Sequence, residues 1–132
     1  MDTRADWDIA LRHEEARVAR YGRPAAVLAV RLRVTGTDAV DQYAARIGGA
    51  IRQQARETDR VTRVAPDRFH VLLPETLEAE ATVLADRVRN ACVAMIPGAR
   101  SAGVEILVAA ASTSGGRTLV EALRAVQARL EG

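Results

Sequence analysis

Lysine is missing from this chain: all 19 of its basic residues are arginine. An enzyme that steers nucleotide phosphates with a mobile ammonium would have none to use. Cysteine is nearly missing too. Cys92 stands alone, which excludes an internal disulfide and any Cys-rich zinc site and makes a reducing cytoplasm the expected compartment. Aromatic residues are 3% of the chain, so a core has to be assembled from Leu, Val, Ile and Ala. Long apolar runs are absent. The longest, residues 25–30 and 106–111, fall well short of the roughly 20 residues of a membrane span, so no insertion into a bilayer is expected. The start, Met1-Asp2-Thr3-Arg4-Ala5-Asp6, is polar and does not read as a secretory signal. Excess charge is lacking as well: 19 basic residues face 17 acidic ones, for a net +2. With no basic block, nucleic acid is not an expected partner. His13 and His70 lie too far apart in sequence to suggest a metal pair, and no Ser-His-Asp spacing or phosphate-loop motif is present.

What is there suits one domain. The chain has 132 residues, 48% of them hydrophobic, enough to bury a core. Residues 3–21 read as a helix with Trp7, Leu11 and Val18 on one stripe, stopped by Gly22-Arg23-Pro24. Residues 25–34 read as a buried strand. Asp38 is placed to cap a helix running to about residue 58, with Val40, Ala44, Ile47 and Ile51 inward. Residues 60–64 and 68–73 have hairpin spacing around Ala65-Pro66-Asp67. Thr76 is placed to cap a third helix carrying Leu84, Val88, Ala91 and Met95 on its core face, ended by Pro97-Gly98. Residues 104–111 form a last strand. Thr118 and Glu121 make a capping box for a helix with Leu119, Ala122, Val126 and Leu130 inward. This order predicts an α+β domain with helices on a mainly antiparallel sheet.

The stretch Arg63-Val64-Ala65-Pro66-Asp67-Arg68-Phe69-His70-Val71-Leu72-Leu73-Pro74-Glu75-Thr76 resembles the signature hairpin of GGDEF (diguanylate cyclase) domains. In that family a strand, Gly-Gly-Asp/Glu-Glu-Phe, a second strand and a Leu-Pro exit follow in order. Residues 19–28 are similar to the family's junction between helix and first strand, and Leu84-Ala85-Asp86-Arg87-Val88-Arg89 to its next helix. The family's Leu-Thr-Gly-Leu entry motif is not found, and Leu130 stands where the final helix of the family carries a phosphate-contacting lysine.

The resemblance implies that the chemistry is lost. Members of the family join two GTP molecules using metal ions, held by an aspartate on the first strand and the first acidic residue of the hairpin. Here the paired carboxylates of the strand fall on Arg31 and Arg33, on one face because a strand has period two. Asp67 keeps a ligand position alone, its neighbour is Arg68, and the two glycines are Ala65 and Pro66. Arginine is a fixed cation where a metal would sit. Three readings of Arg31 and Arg33 stand: a solvated strand end, an Arg31–Asp67 pair that closes the old site, or a metal-free phosphate contact. None supplies a cyclase or needs a cofactor.

The resemblance also implies a second site. Many family members bind their product, cyclic di-GMP, through Arg-x-x-Asp placed five residues before the signature. Arg56-Glu57-Thr58-Asp59 has that register and is the one such motif in the chain. Arg87 falls where the following helix adds an arginine. Arginine's fork suits the O6 and N7 edge of guanine, and an aspartate suits its N–H groups. Against this stands a plain structural role: Arg56 near a helix C-terminus, Asp59 in a turn, Arg87 on a solvated face. The expected function is cyclic di-GMP binding coupled to a protein partner or to dimerisation. A nucleotide-independent interaction module and metal-free GTP binding are the alternatives.

Overall fold

Eight of the ten residues from Ala25 to Val34 are apolar, and this segment becomes the central strand β1 (Ala25–Val34). The computed structural model describes residues 1–35, 40–99 and 103–131. In it, β1 lies between β3 (Arg68–Pro74) and β4 (Val104–Ser112), with β2 (Arg60–Ala65) outermost, giving the order β2-β3-β1-β4. Every neighbouring pair is antiparallel. Four helices flank the sheet: α1 (Arg4–Tyr21), α2 (Val40–Gln54), α3 (Glu78–Ala94) and α4 (Leu119–Glu131). The fold is α+β, as the order of elements predicted.

The strand period divides the core in two. Ala26, Leu28, Val30 and Leu32 point to one face, where Ile47 and Ile51 of α2 and Val88 and Cys92 of α3 cover them. Ala25, Val27 and Ala29 point to the other, under Trp7 of α1 and Leu119, Ala122 and Val126 of α4. Burying a side chain such as Leu119 or Val126 contributes about 2 kcal/mol each, which is what holds α4 down. Arg31 and Arg33 continue this second row past the end of the core. Arg31 therefore emerges beside the C-terminus of α4.

Local chemistry sets the boundaries. The Thr3 hydroxyl accepts from the Asp6 N–H at 3.1 Å to start α1. Gly22, at φ 67°, ends it by returning its N–H to the Val18 carbonyl at 2.9 Å. The capping box on α4 forms as expected, with Thr118 and Glu121 exchanging bonds of 3.0 Å.

Three expectations need correction. The second helix stops at Gln54, because the Asp59 carboxylate takes the Arg56 N–H at 2.7 Å and the Asp59 N–H returns to the Arg56 carbonyl at 3.0 Å. That local turn displaces the helical bonds of residues 56–59. Thr76 does not cap α3, which starts two residues later; its hydroxyl donates to the Pro74 carbonyl at 2.9 Å, and Glu80 instead takes the Leu77 N–H at 2.9 Å. Met95 is 43% exposed, and Ile96, past the end of the helix, fills the core. The cap expected at Asp38 lies outside the described residues. No helix is long and apolar enough to cross a membrane among the described residues.

Candidate functional site

Two groups of polar residues emerge at different edges of the sheet. The first surrounds the β2–β3 turn. Pro66 and Asp67 form its two-residue loop, and the Asp67 carbonyl accepts from the Leu32 N–H at 2.8 Å, fixing the turn against the end of β1. Arg31 and Arg68 are direct neighbours across β1 and β3, an unfavourable pairing of like charges unless anions separate them. Asp67 does so. Its two carboxylate oxygens lie 3.9 Å from Arg31 Nε and 3.9 Å from Arg68 Nε.

Both arginines also reach the end of α4. Arg31 Nη1 donates to the Leu130 carbonyl at 2.6 Å, and Arg68 Nη1 meets Glu131 Oε1 at 2.6 Å. The C-terminus of a helix presents carbonyls without partners and a partial negative charge, so two cations there are favourable. Arg33 pairs with its cross-strand neighbour Glu105 at 3.8 Å. Arg63 braces the turn from below, donating to the Pro66 carbonyl at 2.6 Å and to Asp41 at 2.7 Å. Beside Arg31, Arg33 and Asp67 lies an open hollow of about 790 Å³. Ala65 pairs with Arg68 at a register shift in β2 and points no polar group into it.

The second group is the Arg-x-x-Asp turn. Asp59 has a fully buried side chain, and Arg56 is 55% exposed. Asp59 Oδ2 accepts from the Arg56 N–H at 2.7 Å, and Oδ1 from Arg56 Nη2 at 3.2 Å. Arg56 Nη2 further donates to the Pro74 carbonyl at 2.9 Å and to the Thr76 hydroxyl at 2.7 Å. Arg52, one turn earlier, donates to the carbonyls of Asp59, at 3.0 Å, and Arg56. Across from them Arg87 of α3 donates to Gln54 Oε1 at 3.3 Å. Arg56, Asp59 and Arg87, separated by up to 31 residues in the chain, line one small hollow of about 190 Å³. Arg52 and Glu80 join this region without having stood out in the sequence, and Thr76 joins it in place of the capping role expected there. A signal for Arg52 existed, since it sits four residues before Arg56, but its partners are backbone carbonyls that no motif encodes.

The remaining singled-out residues are structural. His70 lies 5% exposed on the α1 face, its ring 6.0 Å from that of Trp7. Burial, with Arg4 and Arg68 adding repulsion, lowers its pKa from 6.5 to about 4. Burial raises the Cys92 thiol to about 12, so it is an inert core group. His13 is exposed on α1.

The sequence profile described as "Diguanylate cyclase, GGDEF domain" matches residues 4–130. The chain belongs to the GGDEF family. Solved structures agree on the fold. The GGDEF domain of PA1120 from Pseudomonas aeruginosa is 20% identical with a TM-score of 0.74, over 99% of this chain and 88% of that one. Diguanylate cyclase SiaD from the same organism, solved with its activator SiaC, is 22% identical with a TM-score of 0.74, over 92% of this chain and 50% of that one. The GGDEF domain of DgcB from Caulobacter crescentus, solved with c-di-GMP, is 14% identical with a TM-score of 0.71, over 97% of this chain and 82% of that one. At these identities the likeness shows the fold alone. No curated protein matches the sequence.

Proposed function

We propose that this chain forms a cytoplasmic GGDEF module that binds cyclic di-GMP without making it and acts through protein contacts. The loss of synthesis rests on Arg31. Metal ions of the family's reaction need several oxygen ligands. At the corresponding end of the sheet both oxygens of Asp67 face guanidinium groups, and the neighbouring carboxylates of Asp41, Glu105 and Glu131 each pair with an arginine. Among the described residues, no group of three or more His, Cys, Asp or Glu is placed to hold a metal. The described residues do not fit the ions. Nor does α4 offer a cation at the lysine position, because Leu130 is buried in the core and its carbonyl is taken by Arg31. Purified protein incubated with GTP and Mg²⁺ is expected to release no cyclic di-GMP; chromatographic detection of product would sink this half of the proposal.

The binding half is carried by one observation: Arg56, Asp59 and Arg87 meet at the same hollow. Two guanidinium groups on its rim suit the O6 and N7 acceptors of guanine or a phosphate. A hollow of about 190 Å³ is below the roughly 300–1,000 Å³ of a pocket that encloses a whole small molecule. It therefore takes an edge of the ligand and leaves the rest on the surface, where a partner can sense it. Calorimetry should show Arg56→Ala binding cyclic di-GMP at least tenfold more weakly than the parent, the scale of one bidentate base contact (about 1–3 kcal/mol). Equal affinities would remove the site.

One observation favours the rival, a module that meets a protein partner or a second copy without nucleotide. Arg56 is held by Asp59, Pro74 and Thr76 without any ligand, which is what a purely structural arginine does. The SiaD–SiaC structure shows that a protein of this fold has been solved with a protein activator. Failure of any nucleotide to bind would select this reading. Metal-free GTP binding at Arg31 and Arg33 has less support, since both groups already face carboxylates.

A further inference from the structure

The sheet has two edges, β2 and β4, and they are finished differently. β2 is guarded. The Asp2 N–H donates to the Val61 carbonyl at 2.9 Å and the Thr62 hydroxyl to the Asp2 carbonyl at 3.0 Å, so residues before α1 cover part of it. A register shift between Arg63 and Ala65 and the exposed Arg60 and Arg63 protect the rest. Bulges and charges of this kind keep a strand edge from pairing with another chain.

β4 has no such guard along its middle. The Thr113 N–H donates to the Ala25 carbonyl at 2.9 Å, which fixes the alternation: Leu107, Ala109 and Ala111 bond to β1. The N–H and C=O groups of Val104, Ile106, Val108, Ala110 and Ser112 therefore point outward. The two ends are satisfied, the Val104 N–H by the Ala99 carbonyl at 2.8 Å and the Ser112 N–H by Glu78 Oε1 at 3.4 Å. Between them the Ala110 carbonyl accepts from Arg129 at 2.7 Å and keeps a second lone pair. The N–H groups of Ile106, Val108 and Ala110 and the carbonyls of Ile106 and Val108 have no partner among the described residues. The stretch Ile106-Leu107-Val108-Ala109-Ala110 carries no charge, and an open groove of about 360 Å³ runs beside it, lined on the α3 side by Thr82, Asp86 and Arg89.

We propose that this edge pairs with the same edge of a second copy of the chain, antiparallel about a two-fold axis at Val108. Ile106 then stands opposite Ala110 of the partner subunit, and the two sheets become continuous. The charges beside the edge favour a second copy as the occupant. Asp86 and Arg89 lie one turn apart on α3 and are 67% and 52% exposed. A two-fold axis reverses their order, so Asp86 of one subunit faces Arg89 of the partner subunit. The association closes on itself, because it consumes the open edge and leaves the guarded one outside. It needs no nucleotide and stands apart from the cyclic di-GMP reading.

Sedimentation of the nucleotide-free protein over a range of concentrations, with amide exchange read residue by residue, tests the pairing. The parent is expected to dimerise, and the amides of Ile106, Val108 and Ala110 to gain protection as concentration rises. Asp86→Arg sets like charges against each other on an exposed helix face. It should weaken the dimer by about tenfold, and adding Arg89→Asp should restore it. Val108→Pro removes an outward N–H that β1 does not use and should give a monomer with the circular dichroism of the parent. If that variant fails to fold, the charge exchange on α3 carries the test. A parent that stays monomeric overturns the proposal. So does a dimer in which the Ile106, Val108 and Ala110 amides exchange as fast as in the monomer, because it forms through another surface.

Discussion

Asp59 and His70 are polar residues in the interior, and each makes a prediction about stability. The Asp59 carboxylate satisfies a backbone N–H and a guanidinium in a site without solvent. Removing it takes the partner from the Arg56 N–H, at about 1–3 kcal/mol for a buried group, while the guanidinium keeps Pro74 and Thr76. Urea denaturation of Asp59→Ala should show a loss of that size; a change within about 0.5 kcal/mol would contradict the role given to it. His70 works through pH. The folded state holds its proton only below about pH 4, whereas the unfolded chain takes one up near the ordinary histidine value of 6.5. Between those values the unfolded state binds more protons, so stability falls as pH drops through the window and is fully present above it. The loss is at most about 3 kcal/mol. His70→Leu should flatten this part of the stability–pH curve relative to the parent, and parallel curves would contradict the assignment.

Residue identity was legible in the sequence further than residue contact was. The sequence placed Arg31 and Arg33 on one face of a strand, as the alternation of β1 requires. It also placed Arg56, Asp59 and Arg87 in a register that brings them to one hollow. It left unseen the bond from Arg31 to the carbonyl of Leu130, 99 residues away. Backbone acceptors have no residue type, so a contact to one leaves no mark in composition or spacing. Glu80 was missed because the first turn of a helix is where acidic residues are favoured anyway.

At the scale of elements, boundaries marked by strong local chemistry were readable. Gly22 after α1, the Thr118–Glu121 box before α4 and the continuous apolar run of β1 each carry their own signal. The C-terminal end of α2 and the start of α3 were misplaced, because both adjoin the turn that Arg56 ties together. Gly22 adopts a φ of 67°, where a Cβ costs roughly 1–2 kcal/mol. Gly22→Ala should lower stability by about that much in thermal denaturation, without affecting ligand affinity. The end of α4 offers a second test. Arg31 anchors it with a charge-assisted bond to the Leu130 carbonyl. Arg31→Ala should cost about 1–3 kcal/mol and speed amide exchange in the last turn of α4. Unchanged exchange there would show that the arginine is a solvated strand end after all.

At the scale of the molecule, the two polar groups sit on different parts of the sheet and have had different fates in this account. Around Asp67, arginines bind the protein to itself: strand to hairpin, hairpin to helix. Around Asp59, the Arg-x-x-Asp turn meets Arg87 at a shallow hollow with Arg56 exposed. The proposal of a receptor that is not a synthase rests on that contrast. The most direct test is equilibrium dialysis of the nucleotide-free protein against labelled cyclic di-GMP, with no metal or GTP present. The account predicts saturable retention of the ligand by the protein, lost in Arg56→Ala. Retention no greater than that of a non-binding control protein would contradict it and leave the Arg56–Asp59 turn as scaffold.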